Sequence, residues 1–410
     1  MDRRTFLGAA ALLAACAPGG EQAGQAPPGA PVRAPRRGDG TPGPLDQRML
    51  VLVELQGGND GLNTVIPVSQ PAYRHLRPGL AIDPARVIGL DQDHALHPAL
   101  APLMDSWDAG ECAIVESVGY PRPNRSHFRS IEIWEQATAS DAYASEGWAT
   151  RALREHPSPA LRAGADADGI VVGTGAIGPL AGAGVRVVNM RDPRQFLAQG
   201  ERLRSLAMPA EGPAALRHVL RTQNEAAAAA EAVRRKLTGR ERFARRFGWD
   251  PLARGLAVVA DLAADGVRVP AWKVTLAGFD THADQAQRHE RLLGQAAAAL
   301  AAFRAAMREM GRWNEVLVLT YSEFGRRAAE NQSRGTDHGA AAPLLAMGGA
   351  VEGGFHGTPP DLEALEDGDV RARVDFRSVY AGALAGFWDQ PASFLAAQGH
   401  APLPLLRRRG

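Results

Sequence analysis

Ser322-Glu323-Phe324-Gly325-Arg326 and Gly335-Thr336-Asp337-His338-Gly339 bring a hydroxyl, carboxylates, a guanidinium and an imidazole close together in sequence. They follow Val316-Leu317-Val318-Leu319-Thr320-Tyr321, an apolar run that reads as a buried strand. In open α/β sheets ligands gather beyond the carboxyl ends of strands, so these side chains stand where chemistry is expected. The same grammar recurs twice. Trp272-Lys273-Val274-Thr275-Leu276 leads into Gly278-Phe279-Asp280-Thr281-His282-Ala283-Asp284. In an extended segment this alternation places Asp280, His282 and Asp284 on one side, ordinary material for a metal site. The alternative is a solvated helix start with Asp284 in the first turn. Met49 to Leu55 leads into Gln56-Gly57-Gly58-Asn59-Asp60-Gly61. There Asp60 is a candidate metal ligand, and equally a turn residue capping backbone amides.

A further strand, Cys112 to Val118, precedes Arg122-Pro123-Asn124-Arg125-Ser126-His127-Phe128-Arg129. Helical spacing from Ser126 through Ile131, Trp134 and Glu135 makes Ser126 an N-cap candidate. A hydroxyl there sits in a field that favours anions, and Arg122, Arg125 and Arg129 add cations for phosphate or sulfate oxygens. Ser126 is thus a candidate nucleophile activated by a metal, although capping alone is the commoner role of a serine before a helix. The glycine-rich turn at Gly57 has no lysine and is neither a Walker loop nor GxGxxG.

These elements must be positioned by a large core, which 410 residues can supply. Charge is nearly balanced, 46 basic against 45 acidic residues, which argues against a general nucleic-acid binder. Met1-Asp2-Arg3-Arg4-Thr5-Phe6-Leu7 reads as a twin-arginine export signal. The apolar stretch to Ala15 is too short to span a membrane, and Leu13-Ala14-Ala15-Cys16 resembles a lipobox that would lipidate Cys16; the alternative is an ordinary signal peptide with Cys16 incidental. The other cysteine, Cys112, is then left without an intrachain partner. Residues 17–45 hold seven glycines and seven prolines and read as a flexible tether. The expected organisation is a signal over 1–16, a linker over 17–46 and an α/β domain over 47–410, with a helical insertion at about 190–266. Helices are expected at 147–153, 195–206, 214–237, 240–265 (broken near Pro251), 285–310 and 375–388, the last amphipathic. The basic run Arg234 to Arg246 reads as a solvated face. His289 is expected on the surface, and His94 and His97 in a loop with no strand end behind them.

The ordered motifs Gly57-Gly58-Asn59-Asp60-Gly61-Leu62-Asn63, Arg125-Ser126-His127-Phe128, Gly278-Phe279-Asp280-Thr281-His282, Ser322 to Arg326 and Gly335 to Gly339 resemble one family of twin-arginine-exported bacterial proteins of unassigned function. That family in turn resembles the alkaline phosphatase and sulfatase superfamily. The resemblance implies a central, mostly parallel sheet flanked by helices, with one or two divalent ions (Zn²⁺, Mn²⁺, Mg²⁺ or Ca²⁺) beyond the strand ends. It implies metal ligands among Asp60, Asp280, His282, Glu323, Asp337 and His338. Ser126 takes the nucleophile's place, and Arg125, Arg129 or Arg326 holds the non-transferred oxygens. Two departures stand out: the Asp280–His282 spacing is short, and Phe324 occupies the place of a second histidine. A nucleophile-side metal would then rest on Asp60, Glu323 and Ser126, an all-oxygen set that favours Mg²⁺, Mn²⁺ or Ca²⁺. The implied function is a periplasmic, lipid-anchored, metal-dependent hydrolase of small phosphate or sulfate esters. Its rivals are a catalytically degraded fold serving as an envelope interaction lipoprotein and a binder of anionic glycans.

Overall fold

The computed structural model describes residues 40–173, 176–190, 196, 213–238 and 240–407. The arginine pair, Cys16, most of the linker and nearly all of the helix expected over 195–206 lie outside the described residues. Residues 40–46, expected to belong to the linker, are packed: the Gly43 N–H donates to the Asn314 carbonyl at 3.0 Å.

In chain order the strands are β1 Met49–Gln56, β2 Val65–Pro67, β3 Ile88–Gly89, β4 His94–Leu96, β5 Cys112–Gly119, β6 Gly169–Val172, β7 Val187–Met190, β8 Ala271–Ala277, β9 Val316–Tyr321, β10 Ala342–Met347, β11 Gly354–Gly357 and β12 Val374–Asp375. The helices are α1 Ala72–Leu76, α2 Met104–Asp108, α3 His127–Gln136, α4 Trp148–Glu155, α5 Ala214–Lys236, α6 Pro251–Ala264, α7 Gln285–Glu309, α8 Phe376–Phe387 and α9 Ser393–Ala396.

The main sheet runs β11-β5-β10-β9-β1-β8-β6-β7, with β12 also pairing β5. All its pairings are parallel except those of β10, which runs antiparallel to β5 and β9. The mostly parallel sheet flanked by helices is the expected architecture. Its alternating side chains fill two cores. On β1, Met49, Val51, Val53 and Leu55 pack on the side of α6 and α7, while Leu50 and Leu52 pack on the side of α4 and α8. A smaller sheet, β2-β4-β3, covers a third cluster around Leu62, Ile66 and Tyr73.

Several local expectations change. Helix does not run through 240–265: it starts afresh at Pro251, where Asp250 caps the Ala253 N–H and proline takes the first helical position. Helix α8 is buried on most of its circumference rather than amphipathic, because the sheet, the Leu403 backbone and Leu406 enclose it. His94 lies on β4 and His289 is fully buried.

His94 is held between Asp91 (Nδ1 to Oδ1, 2.8 Å) and Glu116 of β5 (Nε2 to Oε1, 3.1 Å). Burial alone would lower its pKa, but the two carboxylates outweigh it and raise the value to about 9. The proton is thus bound more tightly in the folded chain. Its stabilisation is complete below about pH 6.5, the ordinary histidine value, and is lost as pH rises through the folded value. His94→Gln should therefore remove about 1–2 kcal/mol of the decline in stability between about pH 6 and about pH 9.5, allowing for solvent screening of Asp91. Urea melts at the two pH values check this; equal slopes for both proteins would refute it.

Candidate metal centre

The carboxyl ends of β8, β1 and β9 lie side by side, since β1 pairs in parallel with both neighbours. Gly57 and Gly58 make the turn out of β1 with φ of +119° and +85°. A Cβ on Gly57 would meet the Asp280 nitrogen at 2.3 Å, and one on Gly58 the Phe324 ring at 2.4 Å. Glycine is required at both positions because the loops beyond β8 and β9 close over this turn.

Helix α3 delivers the next side chain. Lys273, buried within β8, pairs with Glu54 of β1 at 3.0 Å and with Glu135 of α3 at 2.9 Å, which ties the helix to the sheet. At the other end the Ser130 hydroxyl donates to the Glu323 carbonyl, and the Tyr120 and Ser130 hydroxyls lie 2.7 Å apart. These bonds set the N-terminus of α3, and so His127, over the end of β9.

The centre is built around Asp280. His127 Nε2 lies 3.5 Å from Asp280 Oδ2; His282 Nε2 and His338 Nε2 lie 3.1 and 3.2 Å from Oδ1. Ligand atoms of His127, Asp280 and His338 all fall within 4.8 Å of one another. Each imidazole is held from behind through Nδ1: His127 by Glu323 at 2.8 Å, His282 by Asp337 at 3.1 Å and His338 by the Arg125 carbonyl at 2.7 Å. Carboxylate and carbonyl oxygens accept, so each Nδ1 carries a proton, and Nε2 is the atom that each ring turns toward Asp280. Backing of this kind is typical of metal-ligating histidines.

The donor set passes a further test. His282 Nε2 and His338 Nε2 are 2.9 Å apart. With both Nδ1 protons committed, a hydrogen bond between them would make one ring cationic. Desolvation, the largest influence on His338, lowers its pKa and favours the neutral ring. The nitrogens and Asp280 therefore suit a shared cation, and a mixed imidazole–carboxylate set suits Zn²⁺ and neighbouring transition metals. Asp280 itself stays ionised: burial would raise its pKa, but the Arg326 hydrogen bond and His338 bring it down to about 2.

Of the residues singled out by sequence, Asp280, His282, Glu323, Asp337 and His338 come together, with Glu323 and Asp337 orienting imidazoles. Asp60 does not join them. It is buried against Arg77, whose Nη1 lies 2.6 Å from Oδ2. An oxygen-only centre of Asp60, Glu323 and Ser126 is not assembled, because Asp60 is held by Arg77 and Glu323 by the Gly57 N–H and His127. Asp284 turns away, in a left-handed conformation, to pair with Arg334 at 3.2 Å. Arg326 is fully buried and donates to the carbonyls of Gly57, Gly58, Phe279 and Thr336 as well as to Asp280 at 2.7 Å. It braces the centre rather than facing an incoming group. Arg129 bonds Glu132 and the Ser140 and Ala142 carbonyls and covers the Tyr143 ring. Arg125 is exposed and pairs with Asp369. Ser126 takes the N-cap position, but its exposed hydroxyl makes no cap bond.

Sequence reasoning missed His127. Its signal was position alone, directly after the candidate nucleophile at a helix start. It also missed Phe324's role: the ring stacks on His338 (centroids 4.3 Å) and lies 4.9 Å from that of His127, giving the imidazoles an apolar floor.

Fold and site together define an α/β protein with an imidazole–carboxylate cluster at the ends of its central parallel strands. The chain belongs to the family described as "Protein of unknown function (DUF1501)", whose pattern matches residues 102–385. No curated protein matches it. Among solved structures it is similar to the C-terminal periplasmic domain of EptC from Escherichia coli in complex with Zn (9% identity, TM-score 0.35, covering 77% of this chain and 76% of that one). It is also similar to the lipoteichoic acid synthase LtaP from Listeria monocytogenes (10%, 0.30, 79% and 68%). A third is alkaline phosphatase from the Antarctic bacterium TAB5 (11%, 0.34, 77% and 95%). These likenesses are loose, and the chemistry is read from the side chains themselves.

Proposed function

We propose that this protein is an exported, metal-dependent hydrolase of phosphate or sulfate esters, tethered to the membrane through a lipidated Cys16. The observation that carries the enzymatic part is the convergence of three Nδ1-anchored imidazoles on the Asp280 carboxylate. His127, Asp280 and His338 would hold the ion, with His282 at the exposed edge. When bound, such an ion supplies Lewis acidity toward a phosphoryl or sulfuryl oxygen. Ser126, exposed and next to His127, offers the nucleophilic hydroxyl. The start of α3 and the Arg125 guanidinium favour an anionic group beside it. Export and tethering rest on Arg3-Arg4 and Leu13 to Cys16. No described helix is long and apolar enough to cross a membrane.

The test is metal analysis of protein recovered from its export route, with turnover of p-nitrophenyl phosphate, bis(p-nitrophenyl) phosphate and p-nitrophenyl sulfate. The reading expects bound metal and turnover that falls at least about a thousandfold in Ser126→Ala, while the melting temperature stays put. Bound metal with no turnover of any ester would instead favour an envelope interaction protein with a structural ion. Phe324 supports that rival, because an apolar ring fills space beside the histidines.

A further inference from the structure

We infer that Gln285 is the positioning residue of this centre, a single buried amide that sets both ligand-bearing loops; the inference rests on the metal reading above. Gln285 opens α7 and is fully buried. Its Nε2 donates to Asp60 Oδ2. Its Oε1 accepts from the Thr281 hydroxyl at 3.0 Å and the Thr336 hydroxyl at 2.6 Å. The amide orientation is fixed by chemistry: an ionised Asp60 only accepts, so the nitrogen faces it and the oxygen is left for the two threonines. Burial would raise the Asp60 pKa, but Arg77 holds it below the usual range, so the carboxylate is ionised.

The two threonines locate the ligands. Thr281 stands between Asp280 and His282. Thr336 is followed by Asp337, which orients His282, and then by His338. The Thr336 N–H also donates to the Thr281 carbonyl at 3.2 Å, and the Gln285 N–H to the Arg334 carbonyl at 2.9 Å. Both threonines are as buried as Gln285, so in the folded chain the amide is the side-chain partner that satisfies both hydroxyls. Asp60, fixed by Arg77, anchors the amide from behind. This gives the Asp60 motif a role one layer behind the centre: through Gln285 it determines where Asp280, His282 and His338 sit. Gln285 touches none of the ligand atoms and acts through the loops.

The experiment compares wild type with Gln285→Ala, Gln285→Glu and Thr336→Val, using Co²⁺ as the probe. Visible absorption reports the ligand field and gives the affinity, and hydrogen exchange is followed over 279–284 and 333–339. In Gln285→Ala the Co²⁺ affinity should fall about 10–100-fold, as for partners behind metal ligands elsewhere, with a changed spectrum and faster exchange in both loops. Gln285→Glu places a carboxylate against Asp60 and should not rescue. Thr336→Val removes one hydroxyl and serves if the alanine variant fails to fold; it should shift the spectrum and loosen 333–339. Wild-type affinity, spectrum and exchange in a folded variant would overturn the inference. If wild type itself binds no Co²⁺, the metal reading fails, and the exchange arm still decides whether Gln285 holds both loops.

Discussion

Asp280→Ala is expected to lower the affinity of the centre for Zn²⁺ or Co²⁺ by more than about a hundredfold, beyond the 10–100-fold of an outer partner, and to leave the fold standing. Among the described residues Asp280 is the one carboxylate that all three imidazoles face, at 3.1 to 3.5 Å. Without it the three nitrogens lose the carboxylate they share, and the Arg326 guanidinium left beside them repels a cation. The fold survives because the Asp280 side chain is 45% exposed, so its removal opens no core cavity. Arg326 is not orphaned either, since its other partners are backbone carbonyls. Asp337→Asn, which reaches the centre through the orientation of His282 and also alters the bond from Asn331 Nδ2, should cost about tenfold. Metal titration followed by calorimetry separates the two. Wild-type affinity in Asp280→Ala would mean that the ion, if any, is held elsewhere.

Arg77→Met should destabilise the protein by about 3–5 kcal/mol, because it leaves a buried carboxylate without its cation. Both side chains of the Arg77–Asp60 pair are completely buried. Arg77 also donates to the carbonyls of Ala328 and Arg327 and to Asn63 Oδ1, each at 2.9 Å. Those acceptors lose their donor too, which places the loss toward the upper end of the range. Replacing both members, Arg77→Met with Asp60→Leu, should recover part of the loss, because no charge then remains to be buried. The pH dependence has a defined sign. Arg77 keeps the folded Asp60 pKa low against burial, so its contribution is present above the ordinary aspartate value of about 3.9 and is lost as pH falls through the folded value. Urea unfolding followed by tryptophan fluorescence measures all of these. A loss below about 1 kcal/mol in Arg77→Met would show that water reaches Asp60.

The sequence by itself determined the strands and where they stop. Val316 to Tyr321, Trp272 to Leu276 and Met49 to Leu55 are apolar enough to be buried on both faces, and each leads into polar residues that cannot follow them inside. That rule placed Asp280, His282, Glu323, Asp337 and His338 near one another. Tertiary structure alone decided which polar residue does what. Asp60 ends a strand just as Asp280 ends another, but Arg77, seventeen positions on, turns it into the anchor of a buried network. Arg326 reads as a guanidinium after a strand, a candidate to hold an ester's oxygens, and the closing of the loops buries it among their carbonyls. His127 resembled any histidine in a first helical turn until Glu323, beyond the end of β9 and far away in sequence, held its ring. In each case the residue type states only that a partner is needed. Which partner is supplied depends on the parallel register of β8, β1 and β9 and on the seating of α3 over them, and those are properties of the packed sheet.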